Sequence, residues 1–193
     1  MRSLIFLLTL GLSSGAMAQN VIYRNYGEYV AKQGDSVDGP VSVVPNMGRF
    51  VVSYVKEGSK KHVATRKVWG FLNNGFLYRI EPEGHLPVRL MAQGAIFYWE
   101  NGFAHLRIQR DSTGAAGFKY GYGSYLSREL QSGIVPASFK AEDTKSSSAK
   151  FKESWPAYAE LLGRIGEGAD MDSVRQLVVD YEVAVEEGKV AGP

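Results

Sequence analysis

"WGFLNNGFLYRI", residues 69–80, decides how the chain is read. Asn74-Gly75 sits between two apolar runs, and a two-residue type I′ turn needs positive φ at both central positions, which Asn and Gly accept most readily. With that turn, Asn73 faces Phe76, Phe71 faces Tyr78 and Trp69 faces Ile80. Because side chains alternate across a strand, the other face carries Leu72/Leu77, Gly70/Arg79 and Val68/Glu81. One face is aromatic and apolar, and the other ends in charges.

A second stretch, "IFYWENGFAHLRI" at 96–108, repeats the pattern around Asn101-Gly102. The same rule pairs Trp99 with Ala104 and Phe97 with Leu106 on an apolar face. It pairs Glu100 with Phe103, Tyr98 with His105 and Ile96 with Arg107 on a half-polar one. Cross-strand aromatic pairs and their burial against a second layer favour Trp69, Phe71, Tyr78, Phe97 and Trp99 as core. The half-polar face, with Tyr98, His105 and Arg107, joined by Arg79 from the first hairpin, is the candidate ligand or interface surface. A ring beside a cation and an imidazole suits a sugar, a carboxylate or a partner loop. The competing expectation buries that face under the C-terminal helices, with Arg107 reaching outward.

Outward from the hairpins, residues 19–140 are rich in Val, Tyr, Phe and Gly and read as antiparallel β. Strands are expected over 48–58, around 88–91, over 118–127 and, ended by Pro136, within 132–138. "KEGSKKH" (56–62) reads as a solvated loop. "AEDTKSSSAK" (141–150) reads as a polar linker. Residues 151–190 read as a helical hairpin. Ser154 caps a first helix with Pro156 in its opening turn, and Trp155, Tyr158, Leu162 and Ile165 follow helical spacing. Asp170 or Asp172 caps a second, whose stripe is Val174, Leu177, Val178, Tyr181 and Val185, with Gly188 as its stop. Short amphipathic helices need an apolar face to cover. The expected fold class is therefore α+β, a mainly antiparallel β-sheet domain with two C-terminal helices packed on it.

The first 18 residues read as a cleavable signal peptide: Arg2, the apolar run "LIFLLTLGL", then Ala16 and Ala18 placed for an A-x-A cut. The run is shorter than the roughly 20 residues that span a bilayer, so no transmembrane segment is expected after cleavage. The sequence contains no cysteine, which removes disulfides, thiolate chemistry, cysteine metal sites and a lipoprotein anchor. The expected address is periplasmic or secreted. Lys plus Arg is 22 against 20 for Asp plus Glu, and no basic stripe points to nucleic acid.

Catalytic signals are sparse. His62, His85 and His105 have no metal-ligand spacing, no G-x-S-x-G is present, and "GYGSYL" lacks the Lys and helix of a phosphate loop. No catalytic, metal or cofactor residue is assigned, and no cofactor is called for.

"NYGEYVAKQG", "KVWGFLNNGFLYRI", "AQGAIFYW" and "YLSRELQSGIV", followed by short helices, together resemble an uncharacterised family of small secreted proteins of Bacteroidetes-type bacteria. Trp69-Gly70-Phe71, Gly75, Tyr78-Arg79-Ile80, Gly94 and Phe97-Tyr98 occupy the family's positions. The resemblance implies a secreted bacterial protein and carries no catalytic or binding residue with it. The function expected is a non-catalytic module that binds a protein partner or an envelope polysaccharide. Two alternatives stay open: an envelope hydrolase assembled in space, for instance around His105 or Ser127, and an assembly partner acting through the C-terminal helices.

Overall fold

Glycine-assisted two-residue turns join five of the described strands. In the computed structural model three hairpins turn at Met47-Gly48, Glu57-Gly58 and Asn74-Gly75, each with positive φ at both central residues (47° and 75°, 53° and 69°, 51° and 81°). That is the type I′ geometry whose twist matches the flanking strands. The structure describes residues 20–81, 86–101, 123–137, 155–166 and 169–192, together with the backbone of 105–110 and 116–121. The expected signal peptide, the expected 141–150 linker, His85 and the expected Ser154 cap lie outside those residues.

Thirteen strands are described. β1 (Asn20–Tyr23), β2 (Asp35–Val37), β6 (Gly70–Asn73), β7 (Phe76–Ile80), β8 (Pro87–Gln93), β9 (Phe97–Glu100), β12 (Ser124–Ser127) and β13 (Val135–Pro136) form one antiparallel sheet. Their order across it is β13-β12-β9-β8-β7-β6-β1-β2. β3 (Ser42–Asn46), β4 (Arg49–Lys56) and β5 (Ser59–Ala64) form a second sheet, and β10 (His105–Arg110) pairs with β11 (Ala116–Gly121) in a third. The helices are α1 (Tyr26–Val30), α2 (Ala159–Arg164) and α3 (Met171–Glu186). The expected class, a mainly antiparallel sheet with two helices near the C-terminus, is what the molecule has.

The first hairpin has the register derived from its turn: Gly70↔Arg79, Phe71↔Tyr78, Leu72↔Leu77 and Asn73↔Phe76. Phe71 and Tyr78 stack across it with centroids 5.1 Å apart. The second hairpin does not form. β9 pairs instead with β12, so that Trp99 faces Tyr125 and Tyr98 faces Leu126, while His105 on β10 faces Gly121. The expected single strand over 118–127 is correspondingly two, β11 and β12, in different sheets. The lysine-rich 56–62 stretch is also not a loop. It is the tight turn at Glu57-Gly58 and the strand β5, whose first four residues, Ser59 to His62, are exposed on both faces while Val63 packs inward.

Register assigns the faces of the large sheet. Tyr78, Arg89, Glu100 and Ser124 share one face with Tyr98 and Leu126. At one end of it, Ile22, Phe71 and Ile80 pack against Val52 of the three-stranded sheet. At the other, Ile96, Tyr98 and Leu126 pack under Trp155, Tyr158, Leu161, Leu162, Val174, Val178 and Tyr181. The helical stripe read from spacing is thus the buried one, with Val174, Val178 and Tyr181 at most 2 % exposed. Asp170 caps α3, its side chain accepting from the Ser173 N–H at 2.8 Å, and Gly188 follows the helix at φ 67°. Trp155 precedes a 3-10 turn over Pro156–Tyr158, where the proline's missing N–H costs nothing.

Polar contacts fix where the helices dock. The Glu182 carboxylate on α3 accepts from the Ala95 and Ile96 N–H groups at 2.8 and 3.0 Å, and the Tyr158 hydroxyl donates to the Ala95 carbonyl at 3.0 Å. A side chain at Gly94 would run into that carboxylate, so the glycine admits the clamp.

Candidate functional site

The four residues singled out from sequence do not share one sheet face. Tyr98 is buried beneath the helices, and Arg79, on β7, points to the opposite face of the same sheet. His105 and Arg107 lie on β10, across from Gly121 and Lys119 in the separate two-stranded sheet. The composite face of Tyr98, His105 and Arg107 is corrected by the pairing of β9. A tight Asn-Gly turn supplies hairpin geometry, but β12 provides Trp99 and Tyr98 with a better-buried partner strand.

Two polar constellations stand out instead, one on each face. On the helix-covered face, Glu100 is 3 % exposed. Its carboxylate accepts from the Arg175 Nε, from Arg175 Nη2 at 2.7 Å and from the Tyr98 hydroxyl at 2.8 Å. The Tyr98 hydroxyl also shares a hydrogen bond with Ser124 Oγ at 3.0 Å, and Arg175 Nη1 donates to Asp172 at 2.7 Å. Burial opposes ionisation of Glu100, but the hydrogen bonds from Arg175 and Tyr98 and the charges of Arg175 and Arg89 outweigh it. The carboxyl is held below its ordinary range. Burial pushes the Tyr98 phenol far up, and the bond to Glu100 pushes Arg175 up. Every member is engaged by another, so the cluster locks α3 to β9. It has no base poised for a substrate.

On the other face, Leu77, Val88, Trp99, Tyr125 and Ile134 pack with Tyr29, Trp69 and Leu130. Arg79 runs through this layer at 7 % exposure. Its Nη1 donates to the Leu130 and Ser132 carbonyls at 2.8 and 2.6 Å, and its guanidinium lies 5.0 Å from the Trp69 ring and 5.8 Å from that of Trp99. Burial pulls the Arg79 pKa down to about 10. Gly70 opposite makes room: a Cβ there would stand 2.6 Å from the Tyr78 carbonyl oxygen and 3.4 Å from Arg79 Cγ. Ser127 is fully buried and accepts the Trp99 indole N–H at 2.8 Å, which removes it as a nucleophile.

Above Arg79 stands an aromatic cluster that sequence reasoning missed as a cluster. α1 is capped by the Asn25 side chain, which accepts from the Glu28 N–H at 2.9 Å. One turn of helix then places Tyr26 and Tyr29 side by side, ring centroids 6.2 Å apart. Both meet Trp69, at 5.4 and 5.2 Å, and Tyr29 meets Tyr23 edge-on at 5.3 Å. Tyr26, Tyr29 and Trp69 are each half-buried, so part of the cluster reaches water. The signal available in the sequence was the i, i+3 spacing of Tyr26 and Tyr29 behind an Asn cap, in a helix only five residues long.

Among the described residues, no group of three His, Asp or Glu side chains is disposed to hold a metal. Among them, too, no helix is long and apolar enough to cross a membrane. Compared with family models, curated proteins and solved structures, the chain matches nothing.

Proposed function

We propose that the protein is a periplasmic or secreted, non-catalytic module that binds an envelope glycan on the Tyr26–Tyr29–Trp69 surface. One observation carries the reading: three partly exposed rings, held within 5.2–6.2 Å of each other by a capped helix and the residue that leads into β6, form an aromatic platform. Sugar rings present C–H faces that pack on such rings, and a preorganised platform loses little side-chain entropy on binding. The secretory leader at 1–18 and the likeness to small secreted bacterial proteins support the address.

The hydrolase alternative loses one of its two named residues, because Ser127 is buried and committed to Trp99. The assembly alternative loses its apolar stripe, because Val174, Val178 and Tyr181 are used within the molecule.

The test is a titration of the chain from Gln19 onward against a panel of cell-envelope polysaccharides. Binding is expected for at least one fraction, and Tyr26→Ala should weaken it about tenfold, the loss of roughly 1–1.5 kcal/mol of stacking. Absence of binding to every fraction overturns the reading.

A further inference from the structure

We infer that the glycan taken by this surface is acidic, a polymer of uronic acids whose carboxylates are selected by the positive charge of Arg79 behind Trp69. The inference rests on the glycan reading above and adds the ligand's charge to it.

Among the described residues Arg79 is a buried cation with no carboxylate against it. Its Nη1 is satisfied by two backbone carbonyls, yet its Nε is out of solvent with no hydrogen-bond partner, and the Trp69 indole N–H is likewise buried and unpartnered. Among the described residues no carboxylate forms an ion pair with it. Buried charges are ordinarily paired, because desolvation costs the protein heavily and only an opposite charge or full hydrogen bonding offsets it. Here the charge is left over at one place, directly beneath the ring that completes the aromatic platform.

The field of such a charge is weakly screened by the apolar layer around it, and it reaches a group resting on the far side of the ring. The acids on α1 and β2 are engaged with other groups. Glu28 turns back along α1 to accept from the Arg24 N–H at 2.7 Å, and Asp35 is taken by Arg24 and Lys56. A neutral sugar would gain the stacking and leave the cation unanswered. A carboxylated sugar gains both. Arg66 and Lys67, exposed on the turn just before Trp69, are the competing source of positive charge and must be separated from Arg79.

The experiment uses the chain from Gln19 to its end, at one fixed ionic strength, titrated with polygalacturonate, alginate and hyaluronan. Each is offered as the free acid and as its methyl ester, beside neutral glucan, xylan and mannan. The expected result is binding of at least one uronate polymer, tighter for the acid than for its ester by tenfold or more. That preference should survive in the Arg66→Gln/Lys67→Gln double variant and fall to within twofold in Arg79→Gln. Equal binding of acid and ester, or binding of neutral polymers alone, overturns the inference while the glycan reading stands. Binding of none of these polymers overturns the inference, and the titration against cell-envelope fractions decides the glycan reading separately. Loss of the preference in the double variant assigns it to the exposed pair and overturns the role of Arg79. Should Arg79→Gln fail to fold, the double variant decides the question alone.

Discussion

Replacing Arg175 by Met should destabilise the protein more than replacing its partner Glu100 by Gln. The reason is the asymmetry of their surroundings: the Arg175 side chain is 44 % exposed and that of Glu100 only 4 %. Without Arg175, the carboxylate keeps the Tyr98 hydroxyl but loses both guanidinium bonds in a place where water replaces them poorly. Breaking a fully buried pair this way costs about 3–5 kcal/mol. The half-exposed arginine places this pair at the rim, where solvent screens it and water enters the vacated space, so about 2 kcal/mol is the expected cost. For a chain of this length that lowers Tm by roughly 4–8 °C. In Glu100→Gln the amide oxygen still accepts from Arg175. Its NH2 can donate to the Tyr98 oxygen, which in turn donates to Ser124, so about 1 kcal/mol is expected.

The pH dependence distinguishes this account from a loss of packing. In the native protein the Glu100 pKa lies below its ordinary 4.5. A carboxyl with a depressed pKa contributes stability that is present above the unfolded value and is lost as pH falls through the folded one. In Arg175→Met the main lowering influence is gone and burial, which raises the pKa, dominates. The carboxyl then penalises folding at neutral pH, and the penalty is relieved as acid protonates it. The stability difference between the two proteins should therefore be largest at pH 7 and shrink steadily towards pH 4. Urea unfolding followed by tryptophan fluorescence at several pH values measures it. A difference that stays constant with pH, or a larger loss for Glu100→Gln than for Arg175→Met, would refute the reasoning.

Gly75→Ala places a side chain at φ 81°, and a cost of about 1–2 kcal/mol should appear as a lowered urea midpoint, with Gly48 and Gly58 behaving alike. Glu182→Gln leaves one of the Ala95 and Ile96 N–H groups facing an amide donor, which should cost about 1–3 kcal/mol and speed hydrogen exchange at those two amides before the rest of the sheet. Trp99→Phe removes the donor to the fully buried Ser127 hydroxyl and should cost about 1–3 kcal/mol beyond the lost ring volume. Adding Ser127→Ala should recover part of that loss, and full additivity of the two changes would count against the bond.

The two Asn-Gly sequences show where local reasoning stops. At Asn74-Gly75 the turn, the alternation and the cross-strand partners all point to one register, and that register forms. At Asn101-Gly102 the same local signals point as firmly to a hairpin, yet β9 goes to β12. A turn dipeptide lowers the cost of reversing the chain by a conformational preference worth a kcal/mol or so, whereas choosing a strand neighbour decides the burial of whole side chains. Pairing with β12 gives Trp99 the Tyr125 ring and the Ser127 hydroxyl, and gives Tyr98 the Ser124 hydroxyl. None of that is written within five residues of the turn. Met47-Gly48 and Glu57-Gly58 fail in the opposite direction: they adopt the geometry of Asn74-Gly75, but Met and Glu give no turn signal, so those hairpins were invisible. The helices were legible because their apolar stripes and the Asp170 cap are local. The candidate site was not, because its parts are drawn from α1, the residue that leads into β6, and β7. Arg79 looked like an outward charge on the polar back of a hairpin, since strand alternation says which face a residue takes but not whether that face is covered. Two loop carbonyls some fifty residues away cover it and hold the cation under Trp69. A charge kept at that depth is a standing cost to folding, and under the proposed reading an acidic ligand at the same ring would offset it.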